Sequence, residues 1–225
     1  MLPNDFPPVS SAGLVRRSRP PVSMERRSFS DWRDTGLLQE LNHQLVAVAR
    51  QAEGCPPGPS MGPSAGVIDS QSVKTTESGG VRGYDAGKRI KGRKRHIGTD
   101  TLGLLVGLAI HGANVQDRDR APDLLKSIAT TCPLLRHVVA DGGDTGPRLR
   151  GALAKIGRWT LQIVKRSDPA QGFEAIPRRW VVERTFAGLG SCRRMARDCE
   201  KTSASAEARL LIAPLRRVTP MLARD

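Results

Sequence analysis

Residues 94–111, KRHIGTDTLGLLVGLAIH, decide the fold. Two runs of strand-forming residues, 94–99 and 104–111, flank the turn-forming residues 100–103, a pattern that predicts two antiparallel strands. The apolar segment GVIDS at 66–70 predicts a third strand shortly before them. Strands that follow one another along the chain usually pair as neighbours in one sheet.

Downstream of these strands, the pattern changes to alternating helices and strands. In chain order we predict a helix over 120–130, a strand over 137–141, a helix over 147–156, a strand over 161–165, and helices over 178–197 and 205–218. Three sequential strands followed by alternating helix–strand units describe an α/β protein with a mixed sheet flanked by helices.

The first part of the chain is rich in proline. Nine of the 16 prolines lie in residues 1–65, and residues 1–28 show no helical or strand period, so we expect them to be irregular or disordered. From Asp34 an apolar period predicts a helix capped by Thr35 that ends at Gly54. The expected regions are an irregular segment (1–28), a truncated N-terminal helical segment with a Pro/Gly linker (29–63), and a compact domain (64–225).

The positive charge lies almost entirely in the second part of the chain. Residues 66–225 hold 29 basic and 16 acidic residues and so carry +13 of the net charge of +14. This excess favours binding to nucleic acid; a ribosome-associated protein or a merely soluble basic chain is the alternative. The longest apolar run, 102–110, is far shorter than the roughly 20 residues of a membrane span, and the sequence favours the reducing cytoplasm.

Three acidic residues lie in or at the end of apolar elements. Asp69 lies in the strand VID, Asp141 ends the strand HVVAD, and Glu183 lies in the helical segment RRWVVERTF. A carboxylate in such a place is costly unless it is hydrogen-bonded, paired or metal-bound. Capping of the following amides is the simplest explanation for a lone aspartate. Two aspartates and a glutamate together suit Mg²⁺ or Mn²⁺, and two such ions support phosphodiester chemistry.

Four long blocks of sequence then carry a resemblance to a known family. They are VIDSQSVKTTESGGVRGYDAGKRIKGRKRHIGTDTLGLL, HGANVQDRD, VVADGGDTG and IVKRSDPAQGFEAIPRRWVVERTFAGLGSCRRMARDCE. In this order they resemble DDE transposases of bacterial insertion sequences, of the IS-four and IS-five superfamily, from about residue 64 to 200 and more weakly from about 29. The resemblance implies a ribonuclease H-like core that uses two divalent ions to cut and join double-stranded DNA, as a homodimer on paired transposon ends.

The resemblance also assigns roles to individual residues. Asp69 and Asp141 match the two catalytic, metal-binding aspartates, and Glu183 matches the catalytic glutamate. Arg179 matches an arginine expected to contact a terminal phosphate. Asn114 and Asp117 match an Asn-x-x-Asp block with a supporting role, for which turn and helix capping is an equal alternative.

Two basic clusters complete the predicted site. The first cluster is Lys88, Arg89, Lys91, Arg93, Lys94 and Arg95, and the second is Arg193 and Arg194. Both clusters are expected to contact the DNA backbone. A solvated edge strand and an ordinary charged helix face are the alternatives.

Two positions depart from the pattern of the family. Asp144 stands where an aromatic residue is usual, and Gly188 stands where tryptophan is usual. We therefore predict a DNA transposase, or a truncated or degenerate copy of one. An inactive DNA-binding remnant and a ribonuclease H-like nuclease without strand transfer are the alternatives.

Overall fold

The computed structural model describes residues 22–56, 58, 62–76, 80–142, 147–157, 159–164 and 179–214. Its elements, in chain order, are α1 (Val22–Asp34), α2 (Leu37–Ala52), β1 (Ala65–Lys74), β2 (Gly83–Asp85), β3 (Ile90–Asp100), β4 (Leu105–Gly112), α3 (Asp117–Thr131), β5 (His137–Asp141), α4 (Pro147–Ile156), β6 (Thr160–Val164), α5 (Trp180–Gly190), α6 (Arg193–Ala196) and α7 (Ser203–Ile212). Within this part of the chain, no helix is long and apolar enough to cross a lipid bilayer.

The strands form one mixed sheet around β3. On one side β3 pairs antiparallel with β1, and on the other side it pairs antiparallel with β4 and the short β2. Strand β1 then pairs parallel with β5, and β5 pairs parallel with β6. The order β4-β3-β1-β5-β6, with helices on both faces, confirms the predicted ribonuclease H-like mixed sheet.

Side-chain alternation along the central strands builds a core on each face of the sheet. Val67 of β1 and Val139 of β5 are neighbours, and both pack in the apolar cluster that includes α5 and α7. The residues beside them, Ile68 and Val138, point the other way and pack with α3 and α4. Helix α5 therefore lies on the sheet face that odd-numbered residues of β1 and β5 present.

Several predicted boundaries change in the structure. Strand β1 continues to Lys74, the short strand β2 was not predicted, and the last helix ends at Ile212. Residues 165, 178 and 215–218, which the predicted elements included, lie outside the described part of the chain. The single helix expected over 178–197 is wrong, because α5 ends at Gly190 and Cys192 has an extended backbone before α6. Two glycines in the last turn of α5 explain the break, since glycine is a poor helix former.

The N-terminal helices also correct the sequence analysis. Residues 22–28 are helical rather than irregular, whereas 1–21 lie outside the described residues. Thr35 does not cap α2: its hydroxyl donates to the Asp31 carbonyl in the last turn of α1, and Gly36, with a φ of 75°, is the N-cap residue of α2. Helix α2 then packs against the sheet, where Asn42 Nδ2 donates to the Leu105 carbonyl at 2.8 Å.

The predicted turn between β3 and β4 is confirmed and joins three elements. The buried Asp100 carboxylate accepts the amides of Leu102 and Leu104 through Oδ1, at 2.9 and 2.8 Å. Its Oδ2 pairs with Arg50 of α2 at 2.8 Å. On the other side, Thr185 of α5 donates its hydroxyl to the Gly103 carbonyl at 2.9 Å. One turn thus connects α2 and α5 to the sheet.

Candidate active site

The register of the sheet brings two of the predicted acids to one face. Val67 and Val139 are Cα partners in the parallel pairing of β1 with β5. Asp69 and Asp141 each follow two residues later, so both side chains point to the face that α5 covers. Their common position follows from the strand period and the pairing, without any special loop.

Helix α5 supplies the third acid and a cation. Val182 and Phe186 are buried and fix the helix on the sheet. Glu183 therefore lies at the border of the helix, with its side chain 48% exposed. Arg179 immediately precedes α5, one helical turn before Glu183, and its carbonyl accepts the Glu183 amide. Arg179 and Glu183 consequently project from the same side of the helix.

The three predicted acids meet around the Arg179 guanidinium. Nη2 of Arg179 lies 3.0 Å from Asp141 Oδ2 and 3.4 Å from Asp69 Oδ2, while Nε lies 3.5 Å from Glu183 Oε1. Because both aspartate oxygens contact the same nitrogen, they cannot be farther apart than the sum of those two distances. The structure therefore brings Asp69, Asp141 and Glu183 together, although they come from three separate elements.

The second oxygen of each aspartate is used locally. Asp69 Oδ1 accepts the amide of Ser70 at 2.7 Å, and Asp141 Oδ1 accepts the amide of Gly142. The capping contact considered in the sequence analysis is therefore present in both strands. It accompanies the cluster rather than replacing it, because Oδ2 of each aspartate remains directed at Arg179.

The chemistry of this cluster fits a hard divalent cation. All three side chains offer carboxylate oxygens, which Mg²⁺ and Mn²⁺ prefer. Asp69 is 14% exposed and Asp141 is 36% exposed, so water and a substrate can reach the cluster. Arg179 already holds a positive charge between the acids. Among the described residues, no three acidic, histidine or cysteine side chains enclose an ion-sized space as they stand.

The two residues of the Asn-x-x-Asp block make separate structural contacts, and Asp117 lies on α3, on the face of the sheet opposite α5. Asp117, in the first turn of α3, forms an ion pair with Lys94 Nζ at 2.9 Å. Burial alone would raise the pKa of Asp117, but hydrogen bonds with Lys94 and Ser70 outweigh it and hold the pKa below its ordinary value. The Asn114 carboxamide packs against Gly83, where an added Cβ would lie 1.8 Å from its oxygen.

Half of the first basic cluster lies inside the fold, which corrects the prediction that it contacts DNA. Arg93, Lys94 and Arg95 are at most 6% exposed. Arg93 pairs with Asp198 at 3.1 Å, Lys94 pairs with Asp117, and Arg95 Nη1 donates to the Met195 carbonyl at 2.7 Å. These side chains join β3 to the neighbouring helices and the 197–201 segment, and no surface is left on them for a phosphate.

The other predicted basic residues are exposed. Lys88, Arg89 and Lys91 lie on and beside the β2–β3 turn, and Arg193 and Arg194 lie on α6. Lys88 Nζ lies 3.3 Å from the Ser70 carbonyl, which places its charge beside the strand residue that follows Asp69.

The β2–β3 turn is held in place by a residue that the sequence analysis missed. Asp85 Oδ2 accepts the Ser72 hydroxyl at 2.6 Å, and Asp85 Oδ1 accepts the Lys88 amide at 3.0 Å. The sequence YDAGK contains the signal, because an aspartate shortly before a glycine is typical of a turn closed by the aspartate side chain. The β2–β3 turn is thus anchored to β1 through Ser72.

Comparison with known proteins identifies the family of the chain. A Burkholderia cepacia protein described as a putative transposase for insertion sequence element IS402 is 34% identical over 111 residues, which are 46% of this chain and 52% of that protein. The chain therefore spans about half the length of this relative. The family described as Transposase DDE domain matches residues 60–214. Since that match covers well over half of the chain and includes all three clustered acids, the chain belongs to the transposase DDE domain family.

Proposed function

We propose that this chain carries the catalytic site of an insertion-sequence DNA transposase. Such an enzyme cuts phosphodiester bonds at the ends of the element and joins the cut DNA ends to target DNA. The observation that supports it best is the meeting of Asp69, Asp141 and Glu183, from β1, β5 and α5, around one guanidinium. Each acid corresponds to one that the resemblance to DDE transposases assigns to catalysis.

DDE transposases use divalent metal ions, and the three carboxylates would hold them here. We propose Mg²⁺ or Mn²⁺, two ions per site, with Asp69, Asp141 and Glu183 as the protein ligands. When bound, such ions activate the attacking oxygen and stabilise the leaving oxygen of a phosphodiester. The chain contributes a fixed acid geometry, because the sheet register sets the aspartates and the buried side of α5 sets Glu183.

The exposed basic residues would position double-stranded DNA across this site. Lys88, Arg89 and Lys91 extend from the anchored β2–β3 turn, and Arg193 and Arg194 from α6. Contacts of this kind neutralise phosphates and set orientation without reading bases. Arg179 lies among the acids and would contact the phosphate nearest to the reaction.

The division of labour along the chain is also part of the proposal. Residues 64–225 would form the catalytic domain, and the helical segment in 29–63 would be docked on it. Joining two ends of an element requires two sites, so the active species would be a homodimer on paired ends, in the bacterial cytoplasm.

A cleavage and strand-transfer assay with labelled element ends and Mg²⁺ tests the function. Asp141→Asn keeps the size of the side chain and removes one charged ligand, so cutting and joining should fall by at least about 100-fold. Asp123→Asn, at an aspartate 66% exposed on α3, is the matched control and should retain activity. Equal cutting by the wild type and Asp141→Asn contradicts the assignment.

The same assay separates the two alternative functions. Cutting without joining, also towards RNA–DNA hybrids, would indicate a ribonuclease H-like nuclease. Binding without any cutting, with an affinity that Asp69→Ala leaves unchanged, would indicate a DNA-binding remnant.

A further inference from the structure

We propose that Arg179 and the divalent ions compete for the same carboxylate oxygens, so that metal loading releases the Arg179 guanidinium and makes it available to a DNA phosphate. This inference rests on the proposed function, because it concerns the same three acids. It adds a metal-dependent change of partner for one named side chain.

The geometry of Arg179 carries the argument. Its Nη2 lies within 3.4 Å of Oδ2 of both aspartates, and its Nε lies 3.5 Å from Glu183 Oε1. Oδ1 of Asp69 and Oδ1 of Asp141 already accept backbone amides. Arg179 contacts the Oδ2 atom of both aspartates, which are oxygens that a metal ion bound by these acids would use.

A guanidinium and a metal ion cannot share these positions. Mg²⁺ requires carboxylate oxygens at roughly 2.1 Å in a nearly octahedral arrangement, whereas the planar guanidinium lies 3.0 to 3.5 Å from the nearest oxygen of each acid. For Asp69 and Asp141 to close on an ion, the guanidinium between them has to leave.

Charge gives the exchange its direction. Three carboxylates placed together repel one another, and the Arg179 cation relieves that repulsion. Divalent ions relieve it more strongly and then repel a neighbouring guanidinium. Arg179 lies just before α5, with its side chain 20% exposed, so a change of rotamer can bring it to a phosphate at the same site. A phosphate can accept two hydrogen bonds from a guanidinium, so it is a suitable new partner for Arg179.

Mn²⁺ titration of the full chain without DNA, followed by calorimetry or electron paramagnetic resonance, tests the competition. Arg179→Gln removes the competing cation, so its Mn²⁺ dissociation constant should fall about tenfold relative to the wild type. Without metal, Arg179→Gln should have a lower Tm than the wild type, and Mn²⁺ should raise its Tm by more.

Arg184→Gln is the matched control. It removes the same charge from the same helix, but Arg184 contacts the Trp180 ring and the Leu102 carbonyl instead of the acids. Its Mn²⁺ affinity should stay within about twofold of the wild type. Arg179→Lys, which keeps the charge but cannot reach several acids through a planar fork, should give an intermediate affinity and decides the question if Arg179→Gln does not fold.

The outcomes distinguish this inference from the proposed function. If the wild type and the Arg179 variants bind no Mn²⁺, the assignment of the metal site is wrong. If the wild type binds Mn²⁺, Asp141→Asn does not, and Arg179→Gln binds it equally or more weakly, the site stands and the competition is overturned.

Discussion

The buried ion pair between Arg93 and Asp198 permits the sharpest prediction about stability. The Arg93 side chain is fully buried, and Asp198 is 2% exposed, with Nη1 and Oδ1 at 3.1 Å. Asp198→Ala would leave the Arg93 charge inside the protein without its carboxylate. Removal of one partner of a buried pair costs about 3–5 kcal/mol of unfolding free energy, because the remaining charge stays desolvated.

The surroundings of Arg93 place the expected loss at the lower end of that range. Its guanidinium also donates to the carbonyls of Val81, Glu200 and Lys201, at 2.8, 2.8 and 3.0 Å. These dipoles stabilise the charge after Asp198 is removed. Asp198 Oδ1 in addition accepts the Glu200 amide at 3.0 Å, and the substitution removes that bond as well. We therefore expect Asp198→Ala to lower the unfolding free energy by about 3 kcal/mol.

Urea unfolding followed by circular dichroism measures this loss. Asp123→Ala, which breaks the exposed pair with Arg120, is the control and should cost less than about 0.5 kcal/mol. A double variant, Arg93→Met with Asp198→Leu, leaves no unpaired buried charge but removes the hydrogen bonds of Arg93 to three carbonyls, so it should recover only part of the stability. A loss below about 1 kcal/mol for Asp198→Ala would refute the claim that Arg93 is an internal structural residue.

Three further predictions follow from single features of the structure. Gly188→Ala should stabilise the protein by about 0.5–1 kcal/mol in thermal unfolding, because an added Cβ in α5 meets no atom within 4 Å; Gly103→Ala, at a φ of 80°, should destabilise it instead. Burial raises the pKa of Glu207 above its ordinary 4.5, so the folded state binds more protons than the unfolded state. The free energy of unfolding therefore falls as the pH rises above 4.5. Glu207→Gln should therefore unfold at a higher Tm than the wild type at pH 7, with the difference shrinking below about pH 4.5. Replacing Lys88, Arg89 and Lys91 of the β2–β3 turn by alanine should weaken DNA binding and reduce its dependence on salt. The slope of log affinity against log salt concentration should become shallower by up to about 0.9 for each phosphate that the turn no longer neutralises. An unchanged slope for the triple variant would exclude the turn from the interface.

The individual strands could be predicted from short-range patterns, whereas the ribonuclease H-like arrangement and the catalytic roles of the three acids were expectations from the resemblance to DDE transposases. Asp69 and Asp141 lie in short apolar runs typical of buried strands, and the turn after β3 shows its aspartate and glycine. Once β1 and β5 pair in parallel, the period of two fixes which face each aspartate takes.

The burial of the basic strand could not be predicted from the same patterns. A run of lysine and arginine normally lies in solvent, and no local signal shows that Arg93 has a partner 105 residues away. The break between α5 and α6 depends on weak helix formers whose effect tertiary contacts decide. Similarly, Thr35 has the chemistry of a cap, but the positive φ of Gly36 turns the chain before α2 can use it.

The β3–β4 turn, finally, has a mechanical consequence. Arg50 of α2 pairs with Asp100 of this turn. Thr185 of α5, two residues after Glu183, donates a hydrogen bond to the Gly103 carbonyl of the same turn. Helices α2 and α5 thus both contact the same short turn. A displacement of α2 would therefore reach α5, the helix that bears Glu183, through the contacts of this turn.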